Sequence, residues 1–163
     1  MAAVDYAYPW AGLLSEFKFD GDPGWAAPLA ALLRSTPWAE PTMDAADVLV
    51  AIPLARQRLA ERGFNQAQRL ALALSKEKSR DGLLLRVGTA RDQHALGRKE
   101  RLANLNTAFA VDPLRVSELQ GKQIVLVDDV MTTGATLHAA ARVLRQAGAA
   151  KVSALVFARA DHR

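Results

Sequence analysis

The 163 residues, half of them hydrophobic and 23% charged, suffice for one folded domain with a sizeable core. No run is long and apolar enough to cross a bilayer, and the start lacks a basic region followed by an apolar stretch, so a cytoplasmic protein without membrane insertion is expected. The absence of cysteine and the scatter of His94, His138 and His162 exclude disulfides and thiolate or histidine-rich metal sites, while a net charge of +4 and a pI near 9.8 favour anionic partners.

Residues 6–34 carry Trp10 and Trp25 and break at DGDPG, residues 20–24, which predicts two short helices forming a hood. A proline-punctuated linker, STPWAEPTMD, leads into DVLVAIP from residue 47, a run of branched apolar residues ended by Pro53 in the manner of a buried parallel strand. LARQRLAERGF reads as a basic loop. In NQAQRLALALS, Ala67, Leu70, Ala71 and Leu74 recur at helical spacing behind Asn65, a capping residue with Gln68 three positions on. LLLRV (83–87) predicts a second strand, GRKERLANL (97–105) a short helix and TAFAV (107–111) another strand. KQIVLVDD is the clearest strand, GATLHAAARVLRQAG a helix stopped by Gly148, and KVSALVFA the strand that closes the sheet. Alternating strands and helices imply an α/β fold with a mainly parallel sheet flanked by helices and a ligand crevice at the carboxyl ends of the strands. The whole chain, 1–163, is expected to be a single domain, with residues 1–46 as N-terminal helices and hood and 47–163 as core.

The chemistry concentrates in IVLVDDVMTTGAT, residues 124–136. A strand ending near Asp128 and a helix beginning near Thr133 or Gly134 leave a turn with free amides and a positive dipole end, which together cradle phosphate. Gly134 lets the backbone approach the anion, and Thr132, Thr133 and Thr136 add hydroxyl donors. Asp128 and Asp129 would repel that phosphate and so need another partner. Vicinal hydroxyls of a sugar can donate to them while the same molecule's phosphate sits in the turn, and a ribose 5-phosphate fits both halves. Receiver domains also end a strand in paired aspartates, but there most of the domain follows the pair, whereas here one helix and one strand remain. A G-x-x-x-x-G-K-[ST] loop is absent. A simple helix cap at Thr132 or Thr133 leaves the adjacent acids unexplained.

Arg56, Arg58 and Arg62 follow the first core strand, at the rim that crossover rules share with Asp128, and are donors suited to pyrophosphate, although arginines of surface loops are usually solvated. ARQRLAERGFNQAQRLA, RDQHALGRKERLANLNTAF, GKQIVLVDDVMTTGATLHAAARVLRQAGA and the N-terminal WAGLLSEFKFDGDPGWAAPLAALL together resemble the ComF (GntX) family of phosphoribosyltransferase-like proteins associated with competence for DNA uptake. The resemblance covers nearly the whole chain, apart from the cysteine-rich zinc-binding module with which many members begin. It implies the type I phosphoribosyltransferase fold and a 5-phosphoribosyl-1-pyrophosphate ligand. Asp128 and Asp129 would hold its ribose hydroxyls as the catalytic pair, Thr132, Thr133, Gly134, Ala135 and Thr136 its 5-phosphate, and Arg56, Arg58 and Arg62 its pyrophosphate. Magnesium would bridge ligand oxygens and water, with no direct protein ligand. The implied reaction is displacement of pyrophosphate by a nitrogen acceptor. Segment 87–103, with Gly88, Gly97, Arg91, Arg98, Lys99 and Arg101, resembles a lid, a solvated helix and loop being the equal alternative; Gln93, Arg101 and Asn104 match recurring positions of unknown role. Purine-salvage relatives carry an acid and a lysine where this chain has Thr132 and Ala135, which argues against an oxopurine acceptor. A non-catalytic ligand-binding or DNA-binding accessory protein is the alternative, with single-stranded DNA at basic segments 56–62 and 86–101 and a homodimer left open as partners.

Overall fold

The computed structural model describes residues 1–19, 23–87 and 108–160. In chain order it runs β1 (Ala2–Asp5), α1 (Trp10–Phe19), α2 (Ala26–Arg34), α3 (Ala39–Ala45), β2 (Val48–Ala51), α4 (Arg56–Arg62), α5 (Gln66–Leu74), β3 (Leu84–Arg86), β4 (Phe109–Val111), β5 (Gln123–Met131), α6 (Ala135–Gln146) and β6 (Lys151–Arg159). The main sheet has the order β1-β6-β5-β2 with every pair parallel, in a register that sets Val48 beside Ile124 and Asp128 beside Val156.

Side chains alternate across that sheet, so each strand feeds two cores. Leu49, Val125, Val127, Leu155 and Phe157 face α1, α2 and α5, where Leu14, Phe17, Leu29, Leu33, Leu70 and Leu74 close the layer. Val48, Val50, Ile124, Leu126 and Val156 face the other way, against Leu137 and Leu144 of α6 and Leu84 and Phe109 of β3 and β4. Burial on both faces explains why these strands read as continuous apolar runs, since a parallel sheet must be covered twice.

Several elements differ from the sequence reading. The segment expected as a hood supplies the edge strand β1 and two helices of the first core, because Leu14, Phe17, Leu29 and Leu33 are large apolar groups that only the sheet can cover. β6 therefore lies inside the sheet, and β1 closes it. The expected linker contains α3, anchored by buried Ala39 and Met43. β3 and β4 form a separate antiparallel pair, Leu85 opposite Ala110, instead of joining the parallel sheet. Leu84 is buried and Leu85 exposed, the one-sided burial of an antiparallel ribbon. The helix expected at 97–105, most of the lid, Gln93, Arg101 and Asn104 lie outside the described residues.

Candidate functional site

β5 is an interior strand, and it does not stop at the acids: pairing with β6 continues to Met131, whose carbonyl accepts from Ala160 N at 2.8 Å. Thr132 and Thr133 then turn the chain, and Gly134 precedes α6 as its cap residue at φ 75°, ψ 0°, a left-handed conformation that glycine adopts without penalty. Thr132 and Thr133 are exposed, Ala135 and Thr136 half-buried. Thr133 Oγ1 accepts weakly from Ala135 N at 3.4 Å. The amides of the first helical turn have no carbonyl four residues back, and this end of α6 carries the positive end of the dipole. Thr132 through Thr136 thus span the bend from the end of β5 into the first turn of α6.

Asp128 and Asp129 succeed each other on a strand and so continue opposite faces of the sheet. Asp129 follows Val125 and Val127 toward the helical layer, where Lys18 of α1 places Nζ 3.0 Å from its Oδ2. The approach lies outside hydrogen-bond geometry, so that buried oxygen has an ionic neighbour yet no hydrogen bond. Asp129 Oδ1 accepts from Val130 N at 2.8 Å, and Asp128 Oδ1 accepts from Asp129 N at 2.9 Å. Burial, then the charge of Asp129, pushes the Asp128 carboxyl well above the usual carboxylate range, and the charge of Lys18 opposes the shift.

On the other face stands Arg86 of β3, its guanidinium 5.5 Å from the centre of the Phe109 ring. Burial lowers its pKa, the charge of Arg58 lowers it further, and Asp128 works in the opposite direction, so Arg86 lies within electrostatic reach of both. The basic stretch after Pro53 is not a loop. RQRLAER contains only residues compatible with helix and forms α4, ended by Gly63 in the left-handed region at φ 77°. Arg58 and Arg62, four apart, share a side of that helix, while Arg56 begins it two positions earlier on another side. Arg62 Nη1 donates to Gln66 Oε1 at 3.3 Å. Asn65 behaves as read, accepting from Ala67 N at 3.0 Å, and its Nδ2 also donates to the Ile52 carbonyl at 3.0 Å, which ties α5 to the end of β2.

The structure thus sets Lys18 against Asp129 and Arg86 within electrostatic reach of Asp128 and of Arg58; Lys18 and Arg86 are absent from the sequence list, and no described contact ties Arg56 or Arg58 to the acids. Among the described residues no group of three or more His, Asp or Glu side chains is arranged to hold a metal. The carboxyl groups of Asp128 and Asp129 are oxygen donors of the kind a hard cation takes. No helix among the described residues is long and apolar enough to cross a membrane.

The sequence profile of the phosphoribosyl transferase domain matches residues 41–163. The chain belongs to that family. It is 37% identical over 147 residues to competence protein ComFC of Bacillus subtilis, covering 90% of this chain and 58% of that protein. It is 32% identical to DNA utilization protein YhgH of Escherichia coli K12, covering 93% of this chain and 68% of YhgH. Competence protein F of Haemophilus influenzae is 31% identical, with 95% of this chain and 70% of that protein covered. The chain therefore spans somewhat over half to about two thirds of these relatives, and it is a ComF-family member with the type I phosphoribosyltransferase fold.

Proposed function

We propose that this ComF-family chain binds 5-phosphoribosyl-1-pyrophosphate with Mg²⁺ and transfers its phosphoribosyl group to a nitrogen acceptor. One observation carries the reading: the central strand delivers Asp128 and Asp129 directly ahead of an amide-rich bend with Gly134 in the left-handed region at the head of α6. The acids accept from the ribose 2- and 3-hydroxyls, and the bend with its threonine hydroxyls takes the 5-phosphate. Arg58 and Arg86, like charges held near one another, gain from an anion placed between them, and with Arg56 and Arg62 they are the donors for pyrophosphate. Mg²⁺, when bound, neutralises the leaving group. The transfer breaks the bond from the anomeric carbon to pyrophosphate oxygen, whose electron pair leaves with pyrophosphate. A bond forms from nitrogen to that carbon, and the nitrogen loses a proton. Positioning and electrostatics supply most of the catalysis.

The names of the relatives, competence proteins and a DNA utilization protein, favour a second reading, in which the chain binds the ligand without turning it over or binds single-stranded DNA through α4. Calorimetric titration with 5-phosphoribosyl-1-pyrophosphate tests the first reading. Saturable, Mg²⁺-dependent binding that disappears in Asp128→Asn with Asp129→Asn is the expected result, and unchanged affinity in the double variant refutes the site. Pyrophosphate release across a panel of bases and amines supports the enzyme. Salt-sensitive strand binding lost on Arg58→Ala with Arg62→Ala, without pyrophosphate release, supports the accessory role.

A further inference from the structure

We infer that Lys18 is a positioning residue for the acidic pair: from helix α1 it holds Asp129 in place through an ion pair at its buried Oδ2. Three observations converge on it. The ammonium lies 3.0 Å from Asp129 Oδ2, with only 17% and 14% of the two side chains exposed, so the attraction is weakly screened. Oδ2 is shut off from solvent and accepts no hydrogen bond, so the nearby ammonium of Lys18 is the charge that compensates its burial. The end of α1 is fixed against the segment that follows the arginine helix. Gln66, 1% exposed, donates at 3.5 Å to the carbonyl of Lys18 and accepts from Arg62, while Phe17 packs on Phe64 with ring centres 5.8 Å apart.

The buried amide of Gln66 therefore joins the helix bearing Arg58 and Arg62 to the lysine that contacts Asp129. Lys18 also acts on Asp128, where its charge opposes protonation. A diol gripped by two neighbouring carboxyls needs at least one of them ionised at working pH, and two adjacent carboxylates without a cation repel each other. Among the described residues, Arg86 on β3 also lies within electrostatic reach of Asp128, and Arg58 within reach of Arg86. β2 has no titratable side chain, and the ends of β6, Lys151 and Arg159, pair in register with Gln123 and Met131. On α5, Arg69 lies over Phe64, and on α6, His138 and Arg142 are exposed.

The ligand part of this inference rests on the phosphoribosyl reading, whereas the ionisation part does not. Carboxyl ¹³C NMR on the aspartate-labelled free protein follows the pair in wild type, Lys18→Met and Lys18→Arg. The ionisation midpoint of Asp128 is expected to move to higher pH in Lys18→Met and to return toward wild type in Lys18→Arg. Affinity for 5-phosphoribosyl-1-pyrophosphate at neutral pH should fall at least about tenfold in Lys18→Met, a gap that narrows as pH rises, with Lys18→Arg within about threefold of wild type. Should Lys18→Met unfold, Lys18→Gln gives the same comparison with a polar tip. A midpoint that stays in place in a folded neutral variant, or an affinity within twofold of wild type, overturns the inference. A wild-type protein that does not bind the ligand refutes the phosphoribosyl reading, and the carboxyl titration then decides the role of Lys18 alone.

Discussion

Replacing Gly134 by alanine separates the backbone requirement of the bend from its packing. The residue is buried at φ 75° and ψ 0°, and an added Cβ would sit 3.5 Å from Met131 Sδ and 3.7 Å from the His138 ring, ordinary contact distances with no overlap. The cost is therefore conformational. A non-glycine residue in the left-handed region is disfavoured by about 1–2 kcal/mol. Alanine also restricts the unfolded chain relative to glycine, which returns about 0.4–1 kcal/mol. The net loss is about 1 kcal/mol, a fall of roughly 2–4 °C in Tm for a domain of this size. Urea denaturation measures the loss directly, and calorimetric titration with 5-phosphoribosyl-1-pyrophosphate measures the site. Because the strain is relieved by rotating the bend, affinity is expected to fall by more than tenfold while the fold loses only that small increment. An alanine variant as stable as wild type and equal in affinity would show that the left-handed turn is not required. A loss above about 3 kcal/mol would place the cost in packing instead, since backbone strain alone does not reach it.

Asp128→Asn should raise Tm at neutral pH even as it removes an acceptor for the ligand. The folded carboxyl titrates above its unfolded value, so its contribution to stability is present below the unfolded pKa and is lost as pH rises through the folded one. Thermal melts across pH should show the gain largest near neutrality and fading below about pH 3, where the carboxyl is protonated in both states. A gain that grows toward acid reverses the sign of the argument. Asn65→Ala should cost roughly 2 kcal/mol in denaturant titration, about 1 for the cap to Ala67 and about 1 for the bond to the Ile52 carbonyl, with Asn65→Asp intermediate because it keeps the cap acceptor. Arg58→Ala and Arg86→Met should each weaken inorganic pyrophosphate binding about tenfold or more, at 1.5–3 kcal/mol for a charge-assisted hydrogen bond. Arg56→Ala should weaken it less, and the reverse order would move the anion to the other side of α4.

The legible part of the chain was the part whose pattern is local. Val48–Ala51 and the apolar portion of β5 are covered on both faces, so uninterrupted branched residues identify them, and Asn65 announces α5 by a bond to a residue only two positions away. Gly134 was readable because a bend at a helix head demands glycine. Lys18 carried no such mark. Its meaning depends on a contact with Asp129, reached only after nearly the whole fold is assembled, and nothing in SEFKF distinguishes it from a solvated lysine at a helix end. Arg86 looked like one base among many in a basic segment, and its place near Asp128 follows from an antiparallel ribbon that periodicity over three residues cannot announce. The arginine stretch was misread for a different reason: a seven-residue helix with no buried position has no apolar period to display.

The strand geometry adds a constraint on how such a site is built. Adjacent residues of a β-strand point to opposite faces, so a pair of neighbouring acids at the end of a central strand draws its cations from two different layers. Here the helical layer supplies Lys18 to Asp129, and the layer of α6 and the small ribbon supplies Arg86 to the surroundings of Asp128. Neither layer alone balances the pair. A core beginning at residue 47 would keep the acids and the bend, yet it would lose Lys18, the edge strand β1, and the side chains of Leu14, Phe17, Leu29 and Leu33 that cover one face of the sheet. The first 46 residues are accordingly as much a part of the site as the strand that bears the carboxyls, and the electrostatics of that strand are set from both sides of the sheet at once.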